Sequence, residues 1–199
     1  MPYNPGQMEH GTYHLAENPR LFEIQRNNNF EFIITELEDL VRTDSTGAVT
    51  NAYFQNAQEM LRLSVTNAFA PQMQQDEVAI RRGNSVVKYA GLPSFQDGQL
   101  TFNDFLGAHV VDILKAWSNL SYNVETQNVG SVRNTKYKKD CYLIEYGPDY
   151  ERVRTWKLYG CWIKTIDVGA YDAENGQKHQ VTCTIAYDRA QIDSLDLVD

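Results

Sequence analysis

Apolar and polar side chains alternate along most of this chain, the pattern of strands with one buried face. Phe30-Glu31-Phe32-Ile33-Ile34-Thr35 follows the turn signal Asn27-Asn28-Asn29 and reads as a first strand. Leu61, Leu63 and Val65 alternate with Arg62, Ser64 and Thr66, which predicts a strand that stops by Pro71. Residues 77–81 and 85–89 flank Arg82-Gly83-Asn84 and predict a tight hairpin with Gly and Asn at positive φ. Gly91-Leu92-Pro93 is read as a further break, and residues 99–105 alternate again with Leu100 and Phe102 on one face. Later strands are predicted over 140–146, ending at Gly147-Pro148-Asp149, over 152–159, ending at Gly160, and over 162–168, ending at Gly169. The hydrophilic stretch Asp172 to Gly176 reads as a hairpin loop. The strand over 178–187 turns Val181, Cys183, Ile185 and Tyr187 one way and Thr182, Thr184 and Ala186 the other.

The period changes to that of a helix where Val110, Ile113, Leu114 and Trp117 recur, with Asp112, Lys115 and Ser118 opposite. This helix should pack its Trp117 face on a sheet. Residues 51–60 predict a short helix capped by Asn51. The expected fold is mainly β: two packed antiparallel sheets, a sandwich or barrel, with one flanking α-helix. Residues 1–20 read as an extended N-terminal arm and 21–192 as the β domain. Within that domain 43–60 reads as an insertion too polar for the core, and 193–199 reads as an acidic tail.

Composition narrows the function classes. Nothing in the 199 residues approaches the run of about 18 apolar residues that a membrane helix needs. The first residues lack a basic and an apolar region, so no signal peptide is expected and folding in a cytoplasm is. Cys141, Cys161 and Cys183 are far apart and form no CxxC pair, which reads as buried thiols and not as a disulfide framework or zinc site. The formal net charge of −8 argues against a general phosphate-binding surface. No nucleophile elbow, HExxH pair, P-loop or dinucleotide fingerprint is present, so no catalytic residue, metal or cofactor is expected. His10 and His14 are four apart, but Gly11 and Thr12 between them disfavour the helix that metal binding would need. The compact basic run Arg133, Lys136, Lys138 and Lys139 is expected to meet acidic groups of a neighbouring subunit, such as Glu36, Glu38 and Asp39.

Several stretches, in order, resemble the tail tube protein family of contractile phages, which is related to type VI secretion and pyocin tube proteins. They are Asn18-Pro19-Arg20-Leu21-Phe22-Glu23-Ile24, the stretch Leu61 to Pro71, and Glu77 through Tyr89-Ala90-Gly91 to Leu100-Thr101-Phe102-Asn103-Asp104-Phe105. The helix ending in Trp117 follows. The last are Cys141 to Tyr146, Trp156 to Trp162, and Val181-Thr182-Cys183-Thr184-Ile185-Ala186-Tyr187-Asp188. Two features depart from the family: the insertion at 43–60, and Ile163, where many relatives have proline.

The resemblance implies a virion protein, assembled in the host cytoplasm, that forms hexameric rings stacked as a tail tube. Its partners would be further copies of itself, the tail sheath protein, and the baseplate and tail terminator proteins. DNA would pass through the lumen without specific binding, and no membrane would be involved. Leu61, Leu63, Val65, Thr182, Thr184 and Tyr187 are the expected subunit-interface strands, because strand edges carry unpaired N–H and C=O groups. Val110, Ile113, Leu114 and Trp117 are the expected helix–sheet contact. The alternatives are a tube initiator, terminator or baseplate ring protein on the same fold and, from another class, a carbohydrate-binding β-sandwich. The latter needs a row of exposed aromatics, whereas Trp117, Trp156 and Trp162 sit in apolar text.

Overall fold

The computed structural model describes residues 24–37, 40, 42–43, 49–50, 56–107, 109–172 and 176–195. Within them run β1 (Phe30–Ile34), β2 (Arg42–Thr43), β3 (Val49–Thr50), α1 (Ala57–Ser64), β4 (Val65–Asn67), β5 (Met73–Arg82), β6 (Ser85–Phe95) and β7 (Gly98–Asn103). Then come α2 (Val110–Ser121), β8 (Lys139–Tyr146), β9 (Arg152–Asp167), β10 (Gln180–Ala186) and β11 (Arg189–Leu195). The main sheet has the order β1-β8-β9-β10-β7-β4, antiparallel throughout, with β11 also on β9. It curls into a nearly closed barrel, and β5–β6 forms a separate small sheet. The chain thus adopts the expected fold class, mainly β and antiparallel with a flanking helix. A second short helix, α1, joins it.

Strand β9 organises the barrel. Its first part bonds β8 on one side and β11 on the other, and its second part, Trp162 to Asp167, bonds β10. The two parts meet at Gly160, where φ is +65°. The sequence reading ends one strand here and starts another. Instead the strand continues, and the left-handed residue turns it between the two halves of the sheet, as strands do at barrel corners. A Cβ on Gly160 would collide with the carboxylate of Asp188. That carboxylate is held by Lys138 Nζ at 2.7 and 2.8 Å, and the Asp188 N–H donates to Tyr159 O at 3.0 Å.

The inner face is packed by alternate residues of each strand, among them Phe32, Phe102, Leu158 and Ile185, all buried. Helix α2 closes over β9 with Val110, Ile113, Leu114 and Trp117, each at most 1% exposed. The Trp117 indole N–H donates to Tyr137 O at 2.8 Å, so its polar atom is satisfied in the core. Cys141, Cys161 and Cys183 are free and buried in the same core. Burial pushes the Cys183 thiol up to about 12 and raises Cys141 well above the ordinary thiol range.

Five other expectations are corrected. Leu61 and Leu63 lie on helix α1, not on a strand. Ala57, Leu61 and Ser64 are buried at helical spacing, and the run Ala-Gln-Glu-Met-Leu-Arg favours helix. Leu63 is left exposed on the far side. Ala57, within the expected polar insertion, therefore belongs to the core. Gly91-Leu92-Pro93 lies inside β6 and not between strands. The ladder shifts register there, and a bulge in a two-stranded sheet tolerates a proline without an N–H. At the tip only Gly83 has positive φ, +62°, and Asn84 does not, as in a type II′ turn with Gly first. Lastly, residues 189–195, partly counted as acidic tail, pair with β9 as β11. The arm 1–20, the motif residues 18–23, Glu38, Asp39, 173–175 and 196–199 lie outside the described residues.

Candidate assembly surface

β5 and β6 are ten and eleven residues long and pair along nearly their whole length. Alternation along them is clear, yet every residue of β5 is exposed. Cross-strand pairing puts Val78 opposite Tyr89 and Ile80 opposite Val87, which gives one apolar face. Val78, Ile80 and Tyr89 keep 47%, 47% and 44% of their surface exposed. The other face carries Glu77, Arg81 and Lys88, with Lys88 Nζ 2.8 Å from Glu77 Oε2. An isolated two-stranded hairpin has marginal stability in water, and among the described residues no other strand pairs with its outer edges.

Among the described residues the arm is anchored at its root. Gln72 N–H donates to the Tyr187 hydroxyl at 3.2 Å, and the Gln96 N–H donates to Gln72 O at 3.1 Å. The rings of Phe69 and Phe95 lie 5.7 and 5.8 Å from that of Tyr187. Between root and tip, Gly91 lies against Asp76, whose carbonyl oxygen would be 2.7 Å from a Cβ there. The bulge at this point sets the angle at which the distal arm leaves the barrel.

The expected interface strands are distributed otherwise. Thr182 and Thr184 sit on β10, which is bonded to β9 on one side and β7 on the other. Its backbone has no free edge, so it cannot join another chain by main-chain pairing. Tyr187 is 7% exposed, inside the root just described. Val65 lies on β4, whose one partner strand among the described residues is β7. Among the described residues, β1, β4, β11, both strands of the hairpin and the short pair β2–β3 each have an edge that bonds no other strand. Sequence reasoning missed the hairpin as a surface because its alternation looks like that of a core strand.

The basic run does not stay together either. Lys139 is 2% exposed, and its ammonium donates to Glu36 O of the same chain at 2.5 Å. It points inward in phase with Cys141 and Leu143, so it cannot serve a neighbouring subunit. Glu36 itself is held at φ +59°. Lys138 is paired with Asp188, and Arg133 and Lys136 are exposed.

Chemistry of other kinds has little footing. Among the described residues no group of three His, Cys, Asp or Glu side chains could hold a metal ion. His179 Nδ1 lies 3.1 Å from Asp104 Oδ2, and its ring stacks on Tyr171 at 4.7 Å. An open cavity of about 380 Å³ lies between residues 25–30 and 67–70. The carboxylate on its wall, Glu145, is already engaged by the Trp156 indole N–H at 2.8 Å and Gln25 Nε2 at 2.9 Å.

The fold, a mainly-β barrel with flanking helices, is similar to that of components of contractile injection systems. No family model matches the chain, and neither does any curated protein. Solved structures do. The anti-feeding prophage cap, described as the tube-terminating cap, aligns with a TM-score of 0.58 at 14% identity, over 86% of this chain and 92% of that one. A chain of the sheath/tube terminator of the PVC extracellular contractile injection system aligns at 0.57 and 15%, over 86% and 98%. A chain of the sheath–tube complex of that system aligns at 0.55 and 12%, over 94% and 99%. The likeness is one of fold.

Proposed function

We propose that this chain is a structural subunit that self-assembles into hexameric rings, stacked as the inner tube of a contractile phage tail. The tube would be the conduit for DNA ejection. Its other partners would be the sheath, baseplate and terminator proteins, and it would be built in the host cytoplasm into the virion. The observation that carries the reading is the β5–β6 arm, a long amphipathic hairpin with an exposed apolar face and two open edges. A heterologous contact in which one copy's arm covers the next closes into a ring when the rotation allows. A second reading, a ring that terminates the tube, is favoured by the likeness to the tube-terminating cap and to the sheath/tube terminator. Negative-stain microscopy of the purified protein separates them. Long hollow tubes support the tube subunit, isolated rings support the terminator, and monomers at every concentration oppose both.

A further inference from the structure

The outward face of β8, β9 and β11 carries a row of alternating cations and aromatic rings. Tyr142 pairs across to Lys157, Gln191 to Lys157 from the other side, and Arg189 to Tyr159. Lys157 Nζ lies 5.4 Å from the Tyr142 ring centre and 4.9 Å from that of Tyr159, and the Arg189 guanidinium lies 4.4 Å from Tyr159. Gln191 Nε2 donates to the Tyr159 hydroxyl at 2.8 Å. Lys157 also has Asp140 at 3.8 Å. Arg189 differs: its guanidinium lies over the Tyr159 ring, with no carboxylate in ion-pair reach among the described residues. A guanidinium over a ring keeps its N–H donors available to a carboxylate, which it can bind as a fork.

The complementary chemistry sits at the other end of the same strand pair. The β8–β9 turn presents Asp149-Tyr150-Glu151, all exposed, with Tyr150 77% exposed and held at φ +60°. Neither Asp149 nor Glu151 has an ion-pair partner among the described residues. From Arg152, beside this turn, to Tyr159 is seven residues of β9, roughly 20 Å at the rise of a strand. Carboxylates at one end of a sheet and a cation–aromatic row at the other cannot meet within one copy. Only between copies can they meet, in a head-to-tail contact of the kind that repeats.

We infer that the Asp149-Tyr150-Glu151 turn of one copy docks on the Arg189 and Lys157 row of the next. A carboxylate takes the Arg189 fork and Tyr150 lies against the aromatic row. The inference rests on the self-assembly reading and adds a second contact, distinct from the hairpin. A nucleic acid suits this row less well. Asp140 stands within it, the chain's net charge is −8, and two cations give little counterion release.

The test is a charge swap read by sedimentation velocity over a protein concentration series at low and high salt. Arg189→Glu should raise the concentration needed for assembly by at least about tenfold, with thermal unfolding of the subunit unchanged. Lys115→Glu, an exposed charge on α2, should match the wild type. Adding Asp149→Arg and Glu151→Arg to Arg189→Glu should restore assembly to within about threefold of the wild type. Assembly of Arg189→Glu at the wild-type concentration, or no recovery in the combined variant, overturns the inference and leaves the self-assembly reading standing. A wild type that stays monomeric overturns that reading, and this contact with it. Tight binding of a labelled oligothymidylate, lost in Arg189→Ala while assembly persists, assigns the row to nucleic acid and also overturns it.

Discussion

Replacing Val78 and Ile80 together by Asp tests whether the apolar face of the hairpin is an assembly contact. Val78, Ile80 and Tyr89 are each nearly half exposed, at 47%, 47% and 44%. Full burial of such a side chain is worth about 1.5–3 kcal/mol, so covering the remaining half contributes roughly 1 kcal/mol each and about 3 kcal/mol together. At about 1.4 kcal/mol per factor of ten, that is on the order of a hundredfold in the association constant. Two carboxylates in place of the branched side chains remove most of it and add a desolvation cost to any docked state. The subunit itself should hardly notice, because the arm is exposed along its length and anchored at the Tyr187 root. Sedimentation velocity reads the assembly and circular dichroism melting reads the fold. The expected outcome is a subunit with wild-type melting that stays unassembled at a hundred times the wild-type threshold. The paired control, Ala79→Asp with Val86→Asp on the opposite face, should assemble normally. The reasoning is refuted if the Val78→Asp, Ile80→Asp variant assembles as readily as the wild type.

Other outcomes follow from the barrel. Trp117→Ala should cost about 3–5 kcal/mol in denaturant unfolding, because the ring is buried and its indole N–H is bonded; a cost under about 1 kcal/mol would contradict its place in the core. Gly160→Val should destabilise by more than about 2 kcal/mol, because a β-branched residue resists positive φ and its Cβ meets Asp188; wild-type stability in urea would show that the corner tolerates a side chain. Thr182→Pro should abolish soluble, folded protein and not merely block assembly, since β10 is bonded on both sides; a soluble variant with wild-type melting would argue against that topology. The thiol of Cys183, pushed up to about 12, is almost wholly protonated at pH 8. Native protein should therefore leave Ellman's reagent unreacted until denaturant is added; rapid native labelling would mean that the core opens.

The sequence made the strands and the main helix legible where period and burial agree. Val181, Cys183 and Ile185 alternate because one face of β10 meets the core, and Val110, Ile113, Leu114 and Trp117 recur because one stripe of α2 does. The reading failed where one pattern fits two periods. Leu61, Leu63 and Val65 alternate, but Leu61 is also four residues from Ala57, and the helix wins by burying both. Gly160 looked like a terminator because the same conformational freedom that ends a strand also bends one. Residue type puts Lys139 on a surface, whereas its phase with Cys141 and Leu143 turns it inward. Alternation on the hairpin reports that one face is apolar, not that the same chain covers it.

The central claim, that copies of this chain complete one another through the hairpin, is tested most directly by cryo-electron microscopy of the assembled protein. The account expects closed rings, single or stacked, in which Val78, Ile80 and Tyr89 of each copy are buried against a neighbour. Closed rings in which that face still points to solvent, or a protein that remains monomeric up to millimolar concentration, would contradict it.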